Sequence, residues 1–277
     1  FWRVRVYDNA GNIGIWSSTR SFIIDLTTPT INNQQSGDDV WISSNSHTYS
    51  VFFNDTGGSL LNKFQVKATT GPNQTGTVLF DWTDLITNIN LSSYNTPWSL
   101  TSTLWNLLQN GTNYISVRVY DNAGNISVLS NAFYIKKDNV FPTITDNQLG
   151  DNIWRNTNSG FYDVDFYDSG GSGLLRFEVK VTTGPSMTGI LITDWVYVSS
   201  ITGNSYTQNW QLPATIFDSM MNGYNYVSVR VYDNAGNVSV SSDVFYVLKD
   251  TTLPTIYDQQ TGDDVWRSSN SGVYSVY

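Results

Sequence analysis

Alternating hydrophobic and polar residues mark several segments of this chain. After Tyr114, the side chains of Ile115, Val117 and Val119 would share one side of an extended backbone, while Arg118 and its neighbours face the other way. A period of two is typical of a β-strand with one buried face. The same alternation recurs at residues 227–232 and, further upstream, at residues 63–68. The chain is therefore predicted to consist largely of half-buried strands.

Gly, Asn, Asp and Pro clusters separate these strands at short intervals. Many short strands between turn residues indicate an all-β sandwich. Residues 104–108 instead have apolar side chains at helical spacing, and Gly111 after them is predicted to end a helix as its C′ glycine. A second helical segment is predicted at residues 216–221. We expect each of these to be a short helical turn in one crossover between two sheets.

A long internal repeat organises the sequence. The nonapeptide VRVYDNAGN stands at residues 4–12, 117–125 and 229–237, with spacings of 113 and 112 residues. Self-similarity at a fixed period is the signature of a repeat architecture. Other features recur in the same register, namely Asp25, Asp138 and Asp250 ahead of Pro29, Pro142 and Pro254, then Trp41, Trp154 and Trp266, and the loops DTGG at Asp55 and DSGG at Asp168.

This register predicts the domain organisation. Residues 26–138 and 139–250 are two complete repeats, residues 1–25 are the C-terminal part of a preceding repeat, and residues 251–277 are the N-terminal part of a following one. About 112 residues is enough for an independent core. The chain is expected to be a window from a longer array. Within each repeat, Asn and Gly of DNAGN tolerate positive φ, so this motif is predicted to be a hairpin tip.

Composition narrows the possible functions. The net charge of −9 disfavours nucleic-acid binding, because a phosphate backbone requires clustered Lys and Arg. No apolar run is long enough to span a membrane. The chain has no cysteine, a single histidine at His47, and Glu178 as its only glutamate, so nearly all of its acid is aspartate, which favours turns. Because His47 is not repeated, we expect no enzyme activity and assign no catalytic residue.

The motifs together resemble the immunoglobulin-like repeats of bacterial and archaeal surface proteins. Such repeats begin with Asp-x-x-x-Pro, carry a tryptophan on an early strand and an Asp-x-Gly-Ser-Gly loop, and end with Asp-x-Ala-Gly-Asn at the last hairpin. Residues 138–142, Trp154, 168–173 and 233–237 supply these features in order. One departure is that Asn113 and Asn225 stand where these repeats often carry a corner tyrosine. The resemblance implies tandem immunoglobulin-like β-sandwich domains and an extracellular, cell-surface location.

A sandwich of this kind would place the start of each repeat and two of its loops at one end. Asp25 would then approach Asp55 and Asp121, and the matching groups would include Asp138 with Asp168 and Asp233, and Asp250. Converging carboxylates repel one another unless a cation lies among them, and calcium prefers hard oxygen ligands from loops. These aspartates are therefore candidate Ca²⁺ ligands. The alternative is that each aspartate caps its own turn through backbone N–H groups.

Aromatic residues and sequons indicate two further candidate roles, sugar binding and N-glycosylation. Trp41, Trp82, Trp98 and Tyr120 could stack on sugars, although such rings more often fill the space between sheets. Tyr120 and Arg118 face outward by parity and are candidates for contact with a neighbour. Of six Asn-x-Ser/Thr sequons, only Asn125 and Asn237 recur in register, so these are the candidate glycosylation sites.

We therefore expect a structural repeat region that forms a stalk, fibre, filament or sheath from rigid beads. Its partners would be copies of itself or neighbouring repeats. The alternative is an adhesin or carbohydrate-binding array that contacts surface glycans through exposed aromatics. Scarce charge and abundant Ser, Thr and Asn give a surface suited to lateral packing.

Overall fold

The structure is a computed structural model that describes residues 1–35, 39–148, 151–262, 264, 266–270 and 272–277. Two β-sandwich domains with the same order of elements account for most of the described chain, which confirms the all-β fold class predicted from the sequence.

The first sandwich pairs a three-stranded sheet with a five-stranded sheet. Its elements are β1 Thr30–Asn33, β2 Trp41–Ile42, β3 Val51–Asn54, β4 Leu61–Thr69, β5 Val78–Ile86, β6 Ser93–Tyr94, α1 Ser102–Leu107, β7 Gly111–Asp121 and β8 Ile126–Lys137. The sheets have strand orders β1-β3-β6 and β2-β8-β7-β4-β5. Strand β2 pairs with β8 in parallel, whereas the other strand pairs are antiparallel.

The second sandwich repeats this topology. Its elements are β9 Thr143–Asp146, β10 Trp154–Arg155, β11 Val164–Tyr167, β12 Leu174–Gly184, β13 Thr188–Ser200, β14 Ser205–Tyr206, α2 Ala214–Ser219, β15 Gly223–Asp233 and β16 Val238–Lys249. The sheets have strand orders β14-β11-β9 and β10-β16-β15-β12-β13, and β10 again pairs in parallel with β16.

The predicted alternation decides which side chains form each core. In β7, Ile115, Val117 and Val119 are fully buried, while Arg118 and Tyr120 remain partly exposed on the outer face. The hairpin between β7 and β8 turns at the DNAGN motif, as the sequence predicted.

Each core is centred on a buried tryptophan surrounded by other rings. Trp98 lies 5.3 Å from Phe64 and 5.8 Å from Phe133 between ring centres, and its indole N–H donates to the Val51 carbonyl at 2.9 Å. Trp210 occupies the same place in the second sandwich and donates to Val164 at 3.2 Å. Tyr162 stacks on Phe245 at 3.8 Å, and burial raises the pKa of its phenol to about 12. These aromatic clusters bury much of the apolar area available to each domain.

Both predicted helical turns are present, but they end differently from the prediction. Helix α1 stops at Leu107, and Gly111 is the first residue of β7 and not a C′ glycine. The buried Lys137 ammonium instead donates to the carbonyls of Trp105 and Leu108 at 3.0 and 2.9 Å. Lys249 does the same for helix α2. A lysine from β8 or β16 therefore donates to the carbonyls at the end of each helix, where a C′ glycine motif was predicted for α1.

The two asparagines at the corner position are buried structural residues. Asn225 accepts from the Met221 amide at 3.1 Å and donates to the carbonyls of Met221, Gly223 and Val247 at 2.8, 3.0 and 3.3 Å. Asn113 makes the same four bonds in the first sandwich. An asparagine side chain thus joins the end of each crossover to the last two strands of the sandwich.

The described chain divides into two compact units. One unit contains Phe1–Pro142, Asp168–Leu174 and Tyr232–Val238, and the other contains Thr143–Tyr167, Leu175–Val231 and Ser239–Tyr277. In residues 1–25 and in the described part of 251–277, the β-structure consists of isolated β-bridges, such as the one between Tyr7 and Ile13. The repeat boundaries given by the sequence register stay predictions. None of the described helices has the length and apolar character needed to cross a membrane.

Candidate functional site

Six of the seven predicted aspartates form two triads. Asp25, Asp55 and Asp121, the first triad, each contribute a carboxylate oxygen to a cluster in which these atoms lie within 4.8 Å of one another. Asp138, Asp168 and Asp233, the second triad, form an equivalent cluster. All six residues belong to the compact unit that contains the first sandwich. Asp250, the seventh candidate, is exposed and caps the Thr252 amide at 2.8 Å.

The second triad is assembled from three distant parts of the sequence. Asp138 directly follows β8, Asp168 follows β11, and Asp233 is the last residue of β15. Short loops hold them in place. The Asp138 carboxylate accepts from the Ser172 amide at 3.0 Å, and the Asp168 carboxylate accepts from Gly170 and Gly173 at 3.1 and 2.7 Å.

We call the Asp-x-x-x-Pro segment that leads into each repeat the linker, so Asp25 and Asp138 are the linker aspartates of the two triads. A glycine makes room for each of them. A Cβ built on Gly170 would overlap the Asp138 carboxylate, and a Cβ on Gly57 would overlap the Asp25 carboxylate. Any side chain at these positions would therefore displace one member of a triad. The Asp-x-Gly motif of the loop is explained by this close approach, which the sequence alone left open.

An asparagine of the last hairpin joins the linker to the triad. Asn237 donates from its side chain to the carbonyls of Asp138 and Val140 at 3.0 and 3.2 Å and to Asp233 at 2.7 Å. Asn125 donates in the same way to the Asp25 carbonyl at 3.1 Å and to Asp121 at 2.7 Å. Sequence reasoning selected these two residues as glycosylation sites and missed this role. A glycan on either side-chain nitrogen would have to disturb these bonds, and glycosylation stays a prediction.

Burial makes the second triad electrostatically costly at neutral pH. Asp138, Asp168 and Asp233 are all at most 5% exposed. Burial raises the pKa of Asp233, hydrogen bonds from Asn237 oppose that rise, and the neighbouring Asp138 and Asp168 carboxylates add to it. In the first triad Asp25 is partly exposed, and hydrogen bonds from Ser59 and Thr27 keep the pKa of its carboxyl below the usual value.

The carboxylates retain the capacity to bind a cation. The donors described for the second triad are backbone amides and the Asn237 side chain, with no lysine or arginine among them. Each ionised carboxylate has about four lone-pair positions, so these six bonds use roughly half of the available positions. Each aspartate caps a turn, as one alternative predicted, and the three carboxylates also converge. Calcium binding stays a prediction. Clustered carboxylate oxygens supplied by loops fit the ligand preference of calcium.

The candidate aromatic residues described here occupy two different environments. Trp98 and Trp210 are in the cores, whereas Trp82 and Trp195 lie on the outer faces of the five-stranded sheets. The Arg118 guanidinium lies 4.5 Å from the centre of the Trp82 ring, and Arg230 lies 4.6 Å from that of Trp195. Core packing was therefore the right interpretation for Trp98 but the wrong one for Trp82.

Comparison with known proteins yields only distant similarities. No protein-family model matches the chain, and no curated protein matches it. Among solved structures, the chain is similar to the fibronectin(III)-like modules of Clostridium thermocellum CbhA, at 14% identity and a TM-score of 0.33, over 82% of this chain and 97% of that chain.

Two adhesion proteins are similar at the same level. One is the tetra-tandem repeat in the extending region of a large adhesion protein, at 16% identity and a TM-score of 0.33, over 90% of this chain and 56% of that one. The other is a Ca²⁺-stabilized adhesin that helps an Antarctic bacterium to reach out and bind ice, at 16% identity and a TM-score of 0.31, over 92% and 58%. This chain spans just over half the length of each adhesion structure.

Proposed function

We propose that this chain is a structural repeat region of an extracellular surface protein, and that it extends and stiffens a stalk or filament. The proposal assigns it no reaction. Two domains of identical topology, each with its own core, are suited to serve as beads in such an array. The observation that carries the proposal is that Asp138, which directly follows β8, is bound by Ser172 and Asn237, which lie 34 and 99 residues further along the sequence. A linker held by such distant loops is restrained from swinging freely.

The triads are the proposed stiffening elements, with calcium as the bound ion. Two unit charges 4 Å apart repel by about 4 kcal/mol at an effective dielectric constant of 20, so three buried carboxylates oppose their own convergence. A divalent cation would reverse the sign of this interaction and fix the linker residue to both loops. Asp138, Asp168 and Asp233 would hold one ion, and Asp25, Asp55 and Asp121 would hold the other.

Calcium titration tests this proposal. We expect the chain to bind two ions, measured by calorimetry, and free calcium at about a hundred times Kd to raise the free energy of unfolding by about 2.7 kcal/mol. For a domain of this size that is a rise in Tm of roughly 10–20 °C. EDTA should remove the shift. An unchanged Tm and no binding heat would contradict the metal sites.

A matched pair of variants localises the effect. Asp138→Asn should remove one of the two ions, whereas Asp250→Asn, the same repeat position without a described triad, should leave two. Equal losses from both variants would show that the response comes from surface charge and not from the second triad.

An adhesin role is the second candidate, and a cluster of three tyrosines favours it. Tyr224, Tyr226 and Tyr246 lie 5.4–6.2 Å apart between ring centres, and Tyr224 is about half exposed. Aromatic faces of this kind can stack on sugars. Electron microscopy of the native material, together with a glycan-binding assay, distinguishes the two candidates. Ordered filaments without glycan affinity support the structural role, and isolated strings that bind glycans support the adhesin.

A further inference from the structure

Trp41 contacts the loop that builds the second triad. A Cβ placed on Gly171 would lie 3.2 Å from the tip of the Trp41 ring, so the indole lies against the glycine backbone. Both residues belong to the same compact unit. Gly171 has a φ of +107°, a conformation that glycine adopts without a steric penalty. A glycine at residue 171 therefore serves two purposes: it adopts the positive φ of the loop, and it leaves space for the indole.

Strand pairing connects Trp41 to the second triad. Trp41 pairs with Lys136 in the parallel ladder of β2 and β8, and the next carbonyl, that of Ile42, accepts from the Asp138 amide at 3.0 Å. The same short strand thus carries the indole onto Gly171 and holds the backbone of Asp138. Displacing the indole would also disturb the aspartate.

Gly171 forms the seat, which is the glycine surface that Trp41 contacts beside the second triad. The equivalent surface beside the first triad borders an open recess. Gly58 corresponds to Gly171 in the repeat register and has a φ of +96°, and a Cβ placed on it would have no atom within 4 Å. Gly58 borders this recess, which has a volume of about 290 Å³. The residues that line it are Ile23, Asp25, Gly58, Ser59, Asn122 and Ala123. An apolar cavity of about 150 Å³ holds a benzene ring, so this recess has room for an indole.

The repeat register identifies the ring that fits. Ile23 corresponds to Lys136, the strand partner of Trp41, and Gly58 corresponds to Gly171, the residue beneath the ring. Two lining residues of the recess are therefore counterparts of residues that neighbour Trp41. Trp154, which corresponds to Trp41 in the second sandwich, is 57% exposed.

We propose that the contact of Trp41 with the Gly171 loop, which we call the plug, restrains the backbone of residues 138–142. We also propose that the recess at Gly58 binds the same tryptophan of a repeat joined directly ahead of it. Trp154 is the inserting half of the same contact for a repeat that follows. Each repeat thus carries an indole on β2 or β10 and a glycine seat in the loop after β3 or β11. This contact involves no metal, so it acts with or without calcium.

Hydrogen exchange on the whole chain tests the plug. Trp41→Ala should raise the exchange rate of the amides in residues 138–142 and 168–174 by about tenfold, because these bonds then open locally. Trp154→Ala removes the same residue type from the equivalent strand and should leave those rates unchanged. Measurements in EDTA and in calcium separate this result from the metal proposal. Equal effects of the two variants, or none, would overturn the plug.

A pair of glycine variants tests the seat without removing a tryptophan. Gly171→Ala and Gly58→Ala impose the same positive-φ strain, but only the methyl at residue 171 meets an indole. Gly171→Ala should therefore raise exchange at residues 138–142 several-fold more than Gly58→Ala raises it at residues 25–29. In a Trp41→Ala background this difference should disappear, as a double-mutant cycle requires for residues in contact. A difference that persists without Trp41 would refute the contact.

An added repeat tests the receiving site. A chain with a second copy of residues 26–138 inserted ahead of residue 26 places a Trp41 counterpart before the Gly58 loop. Gly58→Ala should then become as disruptive as Gly171→Ala, and a Trp→Ala change in the inserted copy should cancel the effect. If Gly58→Ala costs the same with and without the added repeat, the recess does not receive a tryptophan.

Discussion

Replacing Trp210 by alanine is expected to lower the free energy of unfolding of the second sandwich by about 3–5 kcal/mol. The ring is 5% exposed and contacts Phe177, Phe245 and Tyr162 at 4.9–6.1 Å between centres. Its removal leaves a large cavity and also deprives the Val164 carbonyl of an indole donor. Since a domain of this size is typically stable by only about 5–15 kcal/mol, this single change removes a large part of its stability.

Chemical denaturation followed by circular dichroism measures this effect, and other tryptophans of the chain supply controls. Trp195→Ala removes a ring of the same size from the outer face of the same sheet, where the ring contacts the Arg230 guanidinium. It should cost far less, about 1 kcal/mol. Trp98→Ala should reproduce the large loss in the first sandwich. If Trp195→Ala costs as much as Trp210→Ala, the core assignment is wrong.

The sequence predicted the sheets well because side-chain parity is a local property. Ile115, Val117 and Val119 are buried as their spacing required, and the hairpin falls at the motif whose residues favour it. The alternation of side chains along a strand could not show that Trp98 is buried and Trp82 lies on the outer face. Whether a ring faces the second sheet or solvent depends on how the two sheets stack. That information is not contained in a single strand.

Long-range contacts explain the errors at the helix ends. Residues 104–108 have helical spacing, but the carbonyls at the end of α1 are satisfied by Lys137, about 30 residues away. A rule based on the next glycine has no access to that partner. The recurrence of Lys137 and Lys249 directly before the linker aspartates was the only signal available in the sequence.

The candidate site was partly predictable for a related reason. Resemblance and repeat register predicted that six aspartates converge in two groups of three, and the structure brings each group together. Asn125 and Asn237 recurred just as regularly, yet their side chains bind linker carbonyls, a contact that recurrence cannot distinguish from a glycosylation site.

Replacing Asn225 by alanine is expected to cost about 3–5 kcal/mol of the free energy of unfolding of the second sandwich. The side chain is fully buried and makes four hydrogen bonds with backbone groups. Alanine would leave the Met221 amide and up to three carbonyls without this partner, and each buried polar group left unpaired costs about 1–3 kcal/mol. The cost is smaller than the full sum because water can enter and sheet bonds remain for some of these groups.

Thermal unfolding of three variants isolates the hydrogen bonds from the loss of volume. Asn225→Asp keeps the shape but replaces the donating amide with an acceptor that faces three carbonyls, so at neutral pH it should be at least as destabilising as alanine. Asn222→Ala lies three residues away, is exposed, and should change stability by less than about 1 kcal/mol. Should Asn225→Asp retain the stability of the parent chain, the corner would be held by packing and not by the asparagine's donors.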